Sequence, residues 1–364
     1  MYLEELRIQG IRNIRYAELQ LSPGPNLFFG PNGSGKTSIL EAVFILSRGR
    51  SFRSRSLQTV LSNSQQSLTC FGVVNSGDPF HVRSPVGVMR EEGGKFFFKI
   101  NGLQVNTASQ LSDNLPVQVV NSESFELLEG SPSARRAFID WGVFHVEHGY
   151  REVWSRFQRC LKHRNSLLRH GKMDSLQLAV WDREFCTLAV QMDECRSRYL
   201  EQLVAVLNSV LVNFGFESAG FEFNYYPGWD SKVGLPEQLQ QSLVRDMKAG
   251  HSTIGPHRAD LRIQRGSQAA VDFLSRGQIK SLVIGLKLAQ CSLFQALSGR
   301  RCLFLVDDLP SELDFERRSA VCRELSALGV QAWVTGIEKS DLEVLWPTDT
   351  TRVFHVKHGE IERV

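Results

Sequence analysis

A glycine-rich segment near the amino terminus has the residue types and the spacing of a phosphate-binding loop. Its residues are Gly30, Pro31, Asn32, Gly33, Ser34, Gly35, Lys36 and Thr37, followed by Ser38. They fit the pattern G-x-x-x-x-G-K-[ST], between a predicted strand and a predicted helix. In such a loop the glycines let backbone N–H groups surround phosphates, and the helix amino terminus adds partial positive charge. The sequence therefore predicts a nucleotide site in which Lys36 contacts phosphate oxygens and Thr37 offers its hydroxyl to Mg²⁺.

Two neighbouring carboxylates stand at the end of a second apolar segment. Asp307 and Asp308 follow Cys302–Val306, which has the composition of a buried strand. The carboxyl ends of parallel strands are where α/β proteins bind their ligands. Taken alone, an apolar segment that ends in acids is more often a strand that enters a turn. The presence of a phosphate-binding loop in the same chain favours the other interpretation, in which the two carboxylates take part in nucleotide chemistry. We expect Asp307 to hold the hydration shell of Mg²⁺, and Asp308 to be the catalytic residue that polarises the attacking water.

A third group of polar residues begins a long predicted helix. Ser275, Gly277 and Gln278 belong to the segment Ser-Arg-Gly-Gln, and Asp314 ends the segment Ser-Glu-Leu-Asp just after the acidic strand end. The Ser275 hydroxyl and the free N–H groups of a helix start could bind an anion. The same residues also suit an ordinary N-cap with a tight turn. Taken by themselves, they leave both interpretations open.

The elements that must position these residues change character along the chain. The first third predicts mainly strands, the last of them at Pro116–Val120. From about Ser131 to Phe214 the pattern is helical, with a candidate break near His170. From Ala259 onward strands and helices alternate, which is typical of an α/β sheet. We therefore predict an α/β fold.

The domain organisation follows from this change of pattern. Residues 1–121 and 301–364 are predicted to form a discontinuous, sheet-bearing, ATP-binding lobe. Residues 122–300 are predicted to form an inserted, largely helical lobe that carries the basic helices and the segment around Ser275. No heptad pattern is long enough for an extended coiled coil.

Composition and charge narrow the class of protein. The 364 residues are 42% hydrophobic and 22% charged, an ordinary balance for a globular chain of two units. The formal net charge is only +3, so a nucleic-acid surface would require local clustering of positive residues. The 7 cysteines are scattered without a C-x-x-C pair, and neither a signal peptide nor a membrane span is predicted. We expect a reduced, cytoplasmic protein.

The sequence resembles the RecF family of bacterial DNA replication and repair proteins over nearly its whole length. Beyond the phosphate-binding loop, the resemblance is carried by IQGIRNIR (Ile8–Arg15), RGRSFR (Arg48–Arg53), EGSPSARRAFID (Glu129–Asp140), TIGPHRADL (Thr253–Leu261), FLSRGQIKSLVIGLKL (Phe273–Leu288) and VDDLPSELD (Val306–Asp314). Within these segments, Ser-x-Gly-Gln resembles the signature of ABC-type ATPases and Ser-Glu-Leu-Asp resembles their D-loop. Because these segments occur together with the phosphate-binding loop, the resemblance favours the anion-site interpretation of Ser275 and Gln278 over a simple cap.

The resemblance implies a fold, an activity and partners. The fold would be a P-loop ABC/SMC-type ATPase head of two lobes without the long coiled coil. The protein would dimerise around ATP, bind double-stranded DNA near gaps or junctions, and hydrolyse ATP slowly as a DNA-stimulated switch in the repair of DNA damage. RecR, and RecO through it, would be partners in loading RecA.

The resemblance also implies roles for individual residues. Gly30 and the residues from Asn32 to Ser38 would bind ATP, with Thr37 and Asp307 holding Mg²⁺. Ser275, Gly277, Gln278 and Asp314 would face ATP held by the opposite subunit, and Thr335 would sense the γ-phosphate. Arg12 and Asn13 would lie on the base and ribose side.

Positive charge is concentrated in the predicted helical segment that follows the first lobe. Between Ser131 and Lys172 the sequence has nine Arg or Lys residues and three acids, a local net charge of +6. Clustered cations on helices are typical of phosphate contacts to DNA without base readout. A solvated helix face gives the same pattern, and charge alone slightly favours that simpler interpretation. With the resemblance added, we predict that Arg156, Arg159 and Arg164 contact DNA.

Two other function classes share the nucleotide motifs. A transporter ATPase subunit would have its signature much closer to the phosphate-binding loop than the 239 residues from Lys36 to Ser275. An SMC-like structural ATPase would need hundreds of heptad residues between its halves, and the inserted segment is too short and too irregular for that.

Overall fold

The order of elements follows the predicted change from strands to helices and back to alternation. The structure is a computed structural model that describes residues 1–54, 56–62, 65–77, 79–91, 94–169, 175–216, 220–346 and 348–364. The helix break expected near His170 lies outside these residues. In chain order the strands are β1 (Tyr2–Ile11), β2 (Ile14–Gln20), β3 (Asn26–Phe29), β4 (Ser67–Asn75), β5 (Arg83–Glu91), β6 (Phe96–Ile100), β7 (Leu103–Val105), β8 (Val117–Val120), β9 (Glu222–Tyr226), β10 (Asp260–Arg265), β11 (Gln268–Ala269), β12 (Leu303–Val306), β13 (Ala332–Gly336), β14 (Arg352–Lys357) and β15 (Glu360–Arg363). In chain order the helices are α1 (Lys36–Arg48), α2 (Ala108–Asn114), α3 (Glu126–Glu129), α4 (Pro132–Val146), α5 (Tyr150–Arg169), α6 (Ser175–Val212), α7 (Leu235–Ala249), α8 (Ala270–Phe273), α9 (Arg276–Ser298), α10 (Leu309–Glu312), α11 (Phe315–Leu328) and α12 (Lys339–Glu343).

Two units divide these elements between them. The first contains Met1–Ser124 together with Lys280–Val364, and the second is the inserted segment Phe125–Ile279. The first boundary lies close to the expected residue 121. The second lies at Ile279 and not at residue 300, because helix α9 belongs to the first unit from Lys280 onward.

A largely parallel sheet forms the centre of the first unit. Its strand order is β15-β14-β3-β13-β12-β8, and only β15 runs antiparallel to its neighbour. Strands β8, β12 and β13 are buried along their whole length, as their nearly uninterrupted apolar sequences require. The ring of Phe28 stacks between Trp333 and Phe354, with centroid distances of 5.5 and 5.0 Å. This packing fixes β3, which leads into the phosphate-binding loop.

A second, antiparallel sheet in the same unit has the order β2-β1-β4-β5-β6-β7. The buried side chain of Gln331, just before β13, connects it to the parallel sheet. Its amide Nε2 donates to the backbone carbonyls of Leu3 and Ser22, at 2.8 and 2.6 Å, and its Oε1 accepts from the N–H of Leu3 at 2.8 Å. One glutamine thus satisfies buried backbone groups at the start of β1 and just after β2.

The second unit combines long helices with a small sheet of order β11-β10-β9. Helix α5 packs along α6, whose 38 residues make it the longest helix of the described chain. The aromatic rings of Phe157 and Phe185 meet in its core at 5.0 Å. A buried arginine, Arg196, donates to both carboxylate oxygens of Asp140, at 2.8 and 3.0 Å, and to the carbonyl of Pro256 at 2.9 Å. The charge of this core arginine is therefore compensated inside the unit.

Helix α9 is long and apolar enough to cross a membrane if length and composition alone are considered. However, 67% of its most apolar window is buried inside the fold, as is typical of a core helix. It is the one described helix that meets these criteria, and it gives weak evidence for a membrane span.

Candidate nucleotide-binding site

The glycine-rich loop between β3 and α1 has the backbone conformation that its sequence predicts. Gly30, Gly33 and Gly35 have φ angles of 151°, 76° and 120°, in the region that favours glycine. A Cβ atom at Gly30 would lie 2.1 Å from the carbonyl oxygen of Val356. At this position glycine is required by both conformation and space. Asn32 and Gly33 are exposed at the tip of the loop, while Ser34, Gly35 and Ser38 are buried near its base.

Lys36 folds back over its own loop. Its Nζ donates to the carbonyl oxygens of Gly30 and Pro31, at 2.6 and 3.0 Å. Burial lowers the pKa of this ammonium group below its usual value, while the nearby carboxylates of Asp308 and Asp307 oppose the shift. The cation is thus held at the mouth of the loop, where a phosphate group would provide a charged partner in place of two carbonyls.

The phosphate-binding loop and the acidic strand end meet in one hydrogen-bond network. The Thr37 hydroxyl donates to Asp307 Oδ1 at 2.9 Å. On the other side of that oxygen, the Thr335 hydroxyl also donates to it at 2.9 Å and accepts from the N–H of Asp308 at 2.7 Å. Three segments that are far apart in sequence therefore converge at the carboxyl ends of β12 and β13, the edge expected for ligand binding.

Burial and hydrogen bonding act in opposite directions on Asp307. Burial raises the pKa of its carboxyl group, and the hydroxyls of Thr335 and Thr37 and the charge of Arg53 partly offset that rise. Two further polar atoms of the site, Ser34 Oγ and Asp308 Oδ1, are buried without a hydrogen-bond partner. Buried polar atoms of this kind are uncommon in folded proteins and indicate a place where a ligand or a water completes the network.

The hairpin turn between β1 and β2 supports the loop from one side. The Asn13 side-chain amide donates to the carbonyls of Gly33 and Ser34, at 3.2 and 2.9 Å. Arg12, in the left-handed conformation at φ 53°, directs its guanidinium at the fully buried carboxylate of Glu41, with two N–O distances of 3.0 Å. Asn13 therefore lies against the loop, whereas the donors of Arg12 bind a protein carboxylate; contact of either residue with a base or a ribose stays a prediction.

Glu41 is a residue of this region that sequence reasoning missed. It lies on α1 one turn after Thr37, and it also accepts a hydrogen bond from the Ser51 hydroxyl. An acid inside an otherwise apolar helix was the available signal, because a buried carboxylate requires a cationic or hydrogen-bonding partner.

A cavity of about 850 Å³ opens beside the hairpin turn. It is lined by residues from three places in the sequence: Arg12, Asn13, Arg15, Tyr16, Thr59, Leu61, Ser62, His358, Gly359 and Glu360. The turn between β14 and β15 joins it to the phosphate-binding loop, because the N–H of Gly359 donates to the carbonyl of Ser34 at 2.8 Å. Two of its lining residues, Asn13 and Gly359, bond to the loop at Ser34, and the cavity is large enough for a base and a sugar.

The signature-like residues begin α9 in a reciprocal cap. The N–H of Ser275 donates to Gln278 Oε1 at 2.9 Å, and the N–H of Gln278 donates to Ser275 Oγ at 3.3 Å. Gly277 lies between them in the first turn. The cap interpretation is thus present in the structure, and Ser275 is exposed at the end of its unit. Contact of this group with a nucleotide stays a prediction.

Asp314 also acts as a cap. It accepts from the N–H of Arg317 at 2.9 Å at the start of α11, and 54% of its side chain is exposed. Helices α10 and α11 are separate, since Leu313 and Asp314 between them are extended.

The three predicted DNA contacts have different environments, and the prediction for Arg164 is corrected. Arg164 is fully buried and donates to Asp182 at 2.7 Å, to Asp246 at 2.9 Å and to Ser252 at 2.7 Å. The Arg164 side chain is therefore inaccessible to DNA. It is paired inside the fold with the carboxylate of Asp246, which lies 82 residues later in the chain.

On the same helix, Arg156 is exposed but bonded to Glu184 at 2.6 Å. Arg159 and Lys162 are exposed and have no ion-pair partner among the described residues. Lys172, also counted in the basic segment, lies outside the described residues. Arg156, Arg159 and Lys162 are exposed cations in the middle of α5, and we call these three residues the α5 basic face.

Replacing Arg164 with methionine should destabilise the protein strongly. The change leaves the fully buried carboxylate of Asp246 without its cation, and breaking a buried pair in this way costs about 3–5 kcal/mol. Arg159→Met on the same helix is the matched control and should change the free energy of unfolding by less than about 0.5 kcal/mol. Denaturant unfolding measures both. Equal effects of the two substitutions would contradict the buried position of Arg164.

Comparison with known proteins adds family relationships to this geometry. The family described as RecF/RecN/SMC N terminal domain matches residues 2–362. The DNA replication and repair protein RecF of Pseudomonas entomophila (strain L48) is 44% identical over 362 residues, which cover 99% of this chain and 98% of the relative. The RecF protein of Pseudomonas aeruginosa (strain LESB58) is 42% identical over 364 residues, with 100% and 98% covered.

Solved structures resemble the chain along its whole length. The recombination mediator protein RecF-ATPrS in the RecFOR pathway superimposes with a TM-score of 0.87 at 25% identity, covering 100% of this chain and 98% of that one. An Smc head bound to the C-winged helix domain of ScpA superimposes with a TM-score of 0.60 at 14% identity, covering 100% and 97%, and its likeness concerns the fold alone. The predicted ATPase-head fold without a long coiled coil is confirmed.

Proposed function

This chain belongs to the RecF family of DNA replication and repair proteins, and on that premise we propose that it is an ATP-dependent DNA-binding protein of recombinational repair. In this proposal it dimerises around ATP, binds double-stranded DNA near single-strand gaps, and hydrolyses ATP slowly, with stimulation by DNA. The observation that carries the proposal is the 2.9 Å hydrogen bond from Thr37 to Asp307, because it joins the phosphate-binding loop and the acidic strand end into one site.

The residues of this site fit ATP with Mg²⁺. The unpartnered Ser34 hydroxyl and the glycine-lined backbone offer donors to phosphate oxygens, and Lys36 adds a positive charge. Thr37 and Asp307 would hold the metal. The described residues contain no group of three His, Cys, Asp or Glu side chains suited to a metal ion, so Mg²⁺ here would depend on phosphate oxygens, as it commonly does. When bound, Mg²⁺ neutralises charge on the transferring phosphate.

Asp308 is the proposed catalytic residue. Its backbone is in the left-handed conformation at φ 52°, which turns its side chain away from the course of β12. Its buried Oδ1 lacks a hydrogen-bond partner and can accept one from a water placed for attack. The 850 Å³ cavity beside Asn13 would take the base and the ribose, with Arg12 and Tyr16 in its lining.

Dimerisation is proposed because the residues at the start of α9 resemble an ABC-type signature, which would face ATP held by the opposite subunit. Ser275, Gly277 and Gln278 form the start of helix α9 in the second unit, where Ser275 is exposed, and the partial positive charge of a helix amino terminus suits a γ-phosphate. We propose that these residues, together with Asp314, face ATP held by a second copy of the chain. Two identical sites would then form across a two-fold axis.

DNA would contact the α5 basic face. Arg159 and Lys162 lie three residues apart on one helix, and their charges are not neutralised by described partners. Cations at this spacing can bind phosphates without reading bases, which suits a protein that recognises a DNA structure.

Replacing Arg159 and Lys162 together with glutamate should weaken ATP-dependent binding to DNA of every sequence. Each lost phosphate contact lowers the slope of log affinity against log salt by about 0.9, so the double variant should lose about 1.8 of that slope. Binding isotherms on a gapped duplex at several salt concentrations measure it.

A charge-matched control separates contact from net charge. Lys232→Glu with Lys248→Glu makes the same change in charge at two other exposed positions of the second unit. The control should keep the wild-type slope. If both double variants lose the same slope, the α5 basic face is not the contact.

Partners follow from the family. We propose that RecR, and RecO through RecR, act with this protein to load RecA at gaps, and that it works in the cytoplasm away from membranes. The solved relative is itself a recombination mediator of the RecFOR pathway. Among the described residues, the apolar helix α9 is the one candidate membrane span that would suit a transporter-type role, and it is weak evidence because most of it is buried.

The proposed function is tested by DNA retention and gel filtration with and without Mg-ATP. Wild-type protein should become dimeric and bind a gapped duplex only with nucleotide. Asp308→Asn should lose about 10²–10⁴-fold in hydrolysis and stay longer on DNA. Retention on DNA that is equal with and without ATP would overturn the proposal.

A further inference from the structure

The hydroxyl of Thr335 lies between two functional groups of the acidic strand end. Thr335 is completely buried on β13, beside β12 in the parallel sheet. Its Oγ1 is 2.7 Å from the N–H of Asp308 and 2.9 Å from Asp307 Oδ1. A backbone N–H can only donate, so the hydroxyl accepts from Asp308. Its one hydrogen is then given to the Asp307 carboxylate.

This polarity has a consequence for the role of Thr335. A γ-phosphate oxygen accepts hydrogen bonds, and in this arrangement the hydroxyl has no second hydrogen to give it. The residue is therefore better placed to hold protein groups than to contact the nucleotide.

Both carboxylates depend on the same hydroxyl for their direction. Asp307 Oδ1 receives hydrogen bonds from Thr37 and Thr335, which leaves Oδ2 free to face a metal. Asp308 is held at φ 52°, an uncommon conformation for a residue with a side chain, and its N–H is tied to Thr335. Without that acceptor the backbone can relax towards an ordinary conformation, and the Asp308 carboxylate would swing with it.

We propose that Thr335 is a positioning residue for hydrolysis: its hydroxyl fixes Asp307 and Asp308 relative to each other. The inference rests on the proposed function, since it assigns the two carboxylates to the metal and to the water. It predicts that the hydroxyl contributes to the chemical step and little to nucleotide affinity.

The test compares Thr335→Val, which keeps the shape and removes the hydroxyl, with Thr335→Ser, which keeps the hydroxyl. Affinity for Mg-ATP is measured by equilibrium binding, and hydrolysis by single-turnover phosphate release. Thr335→Val should bind Mg-ATP within about 3-fold of wild type and hydrolyse it at least about 10-fold more slowly, and it should require more Mg²⁺ for half-maximal hydrolysis. Thr335→Ser should restore most of the rate at the wild-type Mg²⁺ requirement. Circular dichroism establishes that each variant is folded.

The outcomes separate this inference from the proposed function. Wild-type protein that fails to bind or hydrolyse ATP overturns the proposed function and this inference with it. If the wild type is active and Thr335→Val hydrolyses ATP at the same rate as the wild type, only the inference is overturned. A loss of ATP affinity in Thr335→Val as large as in Lys36→Ala, which would place the hydroxyl on the nucleotide, also overturns only the inference. If Thr335→Val does not fold, Thr335→Ser decides: a rate at least about 10-fold below wild type overturns the inference, and a rate near wild type supports it.

Discussion

Replacing Lys36 with alanine should reduce ATP affinity by about 10- to 100-fold, because a hydrogen bond to a charged group contributes about 1.5–3 kcal/mol. The ammonium group already lies over the loop, bonded to the carbonyls of Gly30 and Pro31. The substitution removes the cation that would bind the phosphates, and it also removes two hydrogen bonds that stabilise the loop. Nucleotide-dependent dimerisation and DNA retention should fail together at ATP concentrations that saturate wild type. Equilibrium binding and gel filtration measure the two effects.

The same substitution at another lysine of the first unit shows whether the effect is specific to Lys36. Lys99 is an exposed lysine of the same unit on β6, and Lys99→Ala should leave ATP affinity and dimerisation unchanged. Dimers that form with ATP in Lys36→Ala at wild-type affinity would show that the glycine-rich loop is not the nucleotide site.

Mixing two inactive variants should restore nucleotide binding at about a quarter of the normal number of sites. Lys36→Ala damages the phosphate-binding loop, and Ser275→Arg damages the helix start proposed to face ATP in the other copy. In a mixed dimer both lesions fall in one site and the second site is intact. With equal amounts and random pairing half the dimers are mixed, and half of their sites are whole. Retention of labelled ATP in the Asp308→Asn background measures these sites without turnover.

The first control for the mixing experiment makes the same change, an exposed serine to arginine, at another position of the second unit. Ser209→Arg places an arginine at an exposed serine on α6 of the same unit, and it should trap nucleotide alone at the wild-type level. Ser275→Arg should still bind ATP weakly as a monomer, which shows that its own loop is intact. If the mixture traps nothing under these conditions, the signature residues do not complete a partner's site, and the dimeric mechanism fails.

Local motifs made the first part of the site predictable. The strand, the glycine-rich loop and α1 are contiguous in sequence, so their spacing alone specifies a phosphate cradle. The apolar strand β12 ending at Asp307 was equally clear, because a fully buried parallel strand has a nearly continuous apolar sequence. The ATPase-head fold followed from these motifs in their observed order and from the family resemblance.

Residues whose environment depends on distant partners were not predictable. Arg164 looked like its neighbours Arg156 and Arg159, since only the folded chain brings Asp246 against it. The pairing of the Arg12 guanidinium with Glu41, 29 residues later, has no local sequence signal either. Charge counts describe a segment, whereas burial and pairing are decided by contacts across the fold.

The order of strands in the parallel sheet has a consequence for synthesis of the protein. Strand β3 lies between β13 and β14, and both neighbours are made more than 300 residues after it. The turn that supports Ser34 through Gly359 emerges later still. A nascent chain on the ribosome therefore exposes its glycine-rich loop long before the groups that shape it arrive. The surroundings of this loop are therefore completed only after β13 and the turn that follows β14 have been made, because Thr335 and Gly359 supply the hydrogen bonds to Asp307 and Ser34.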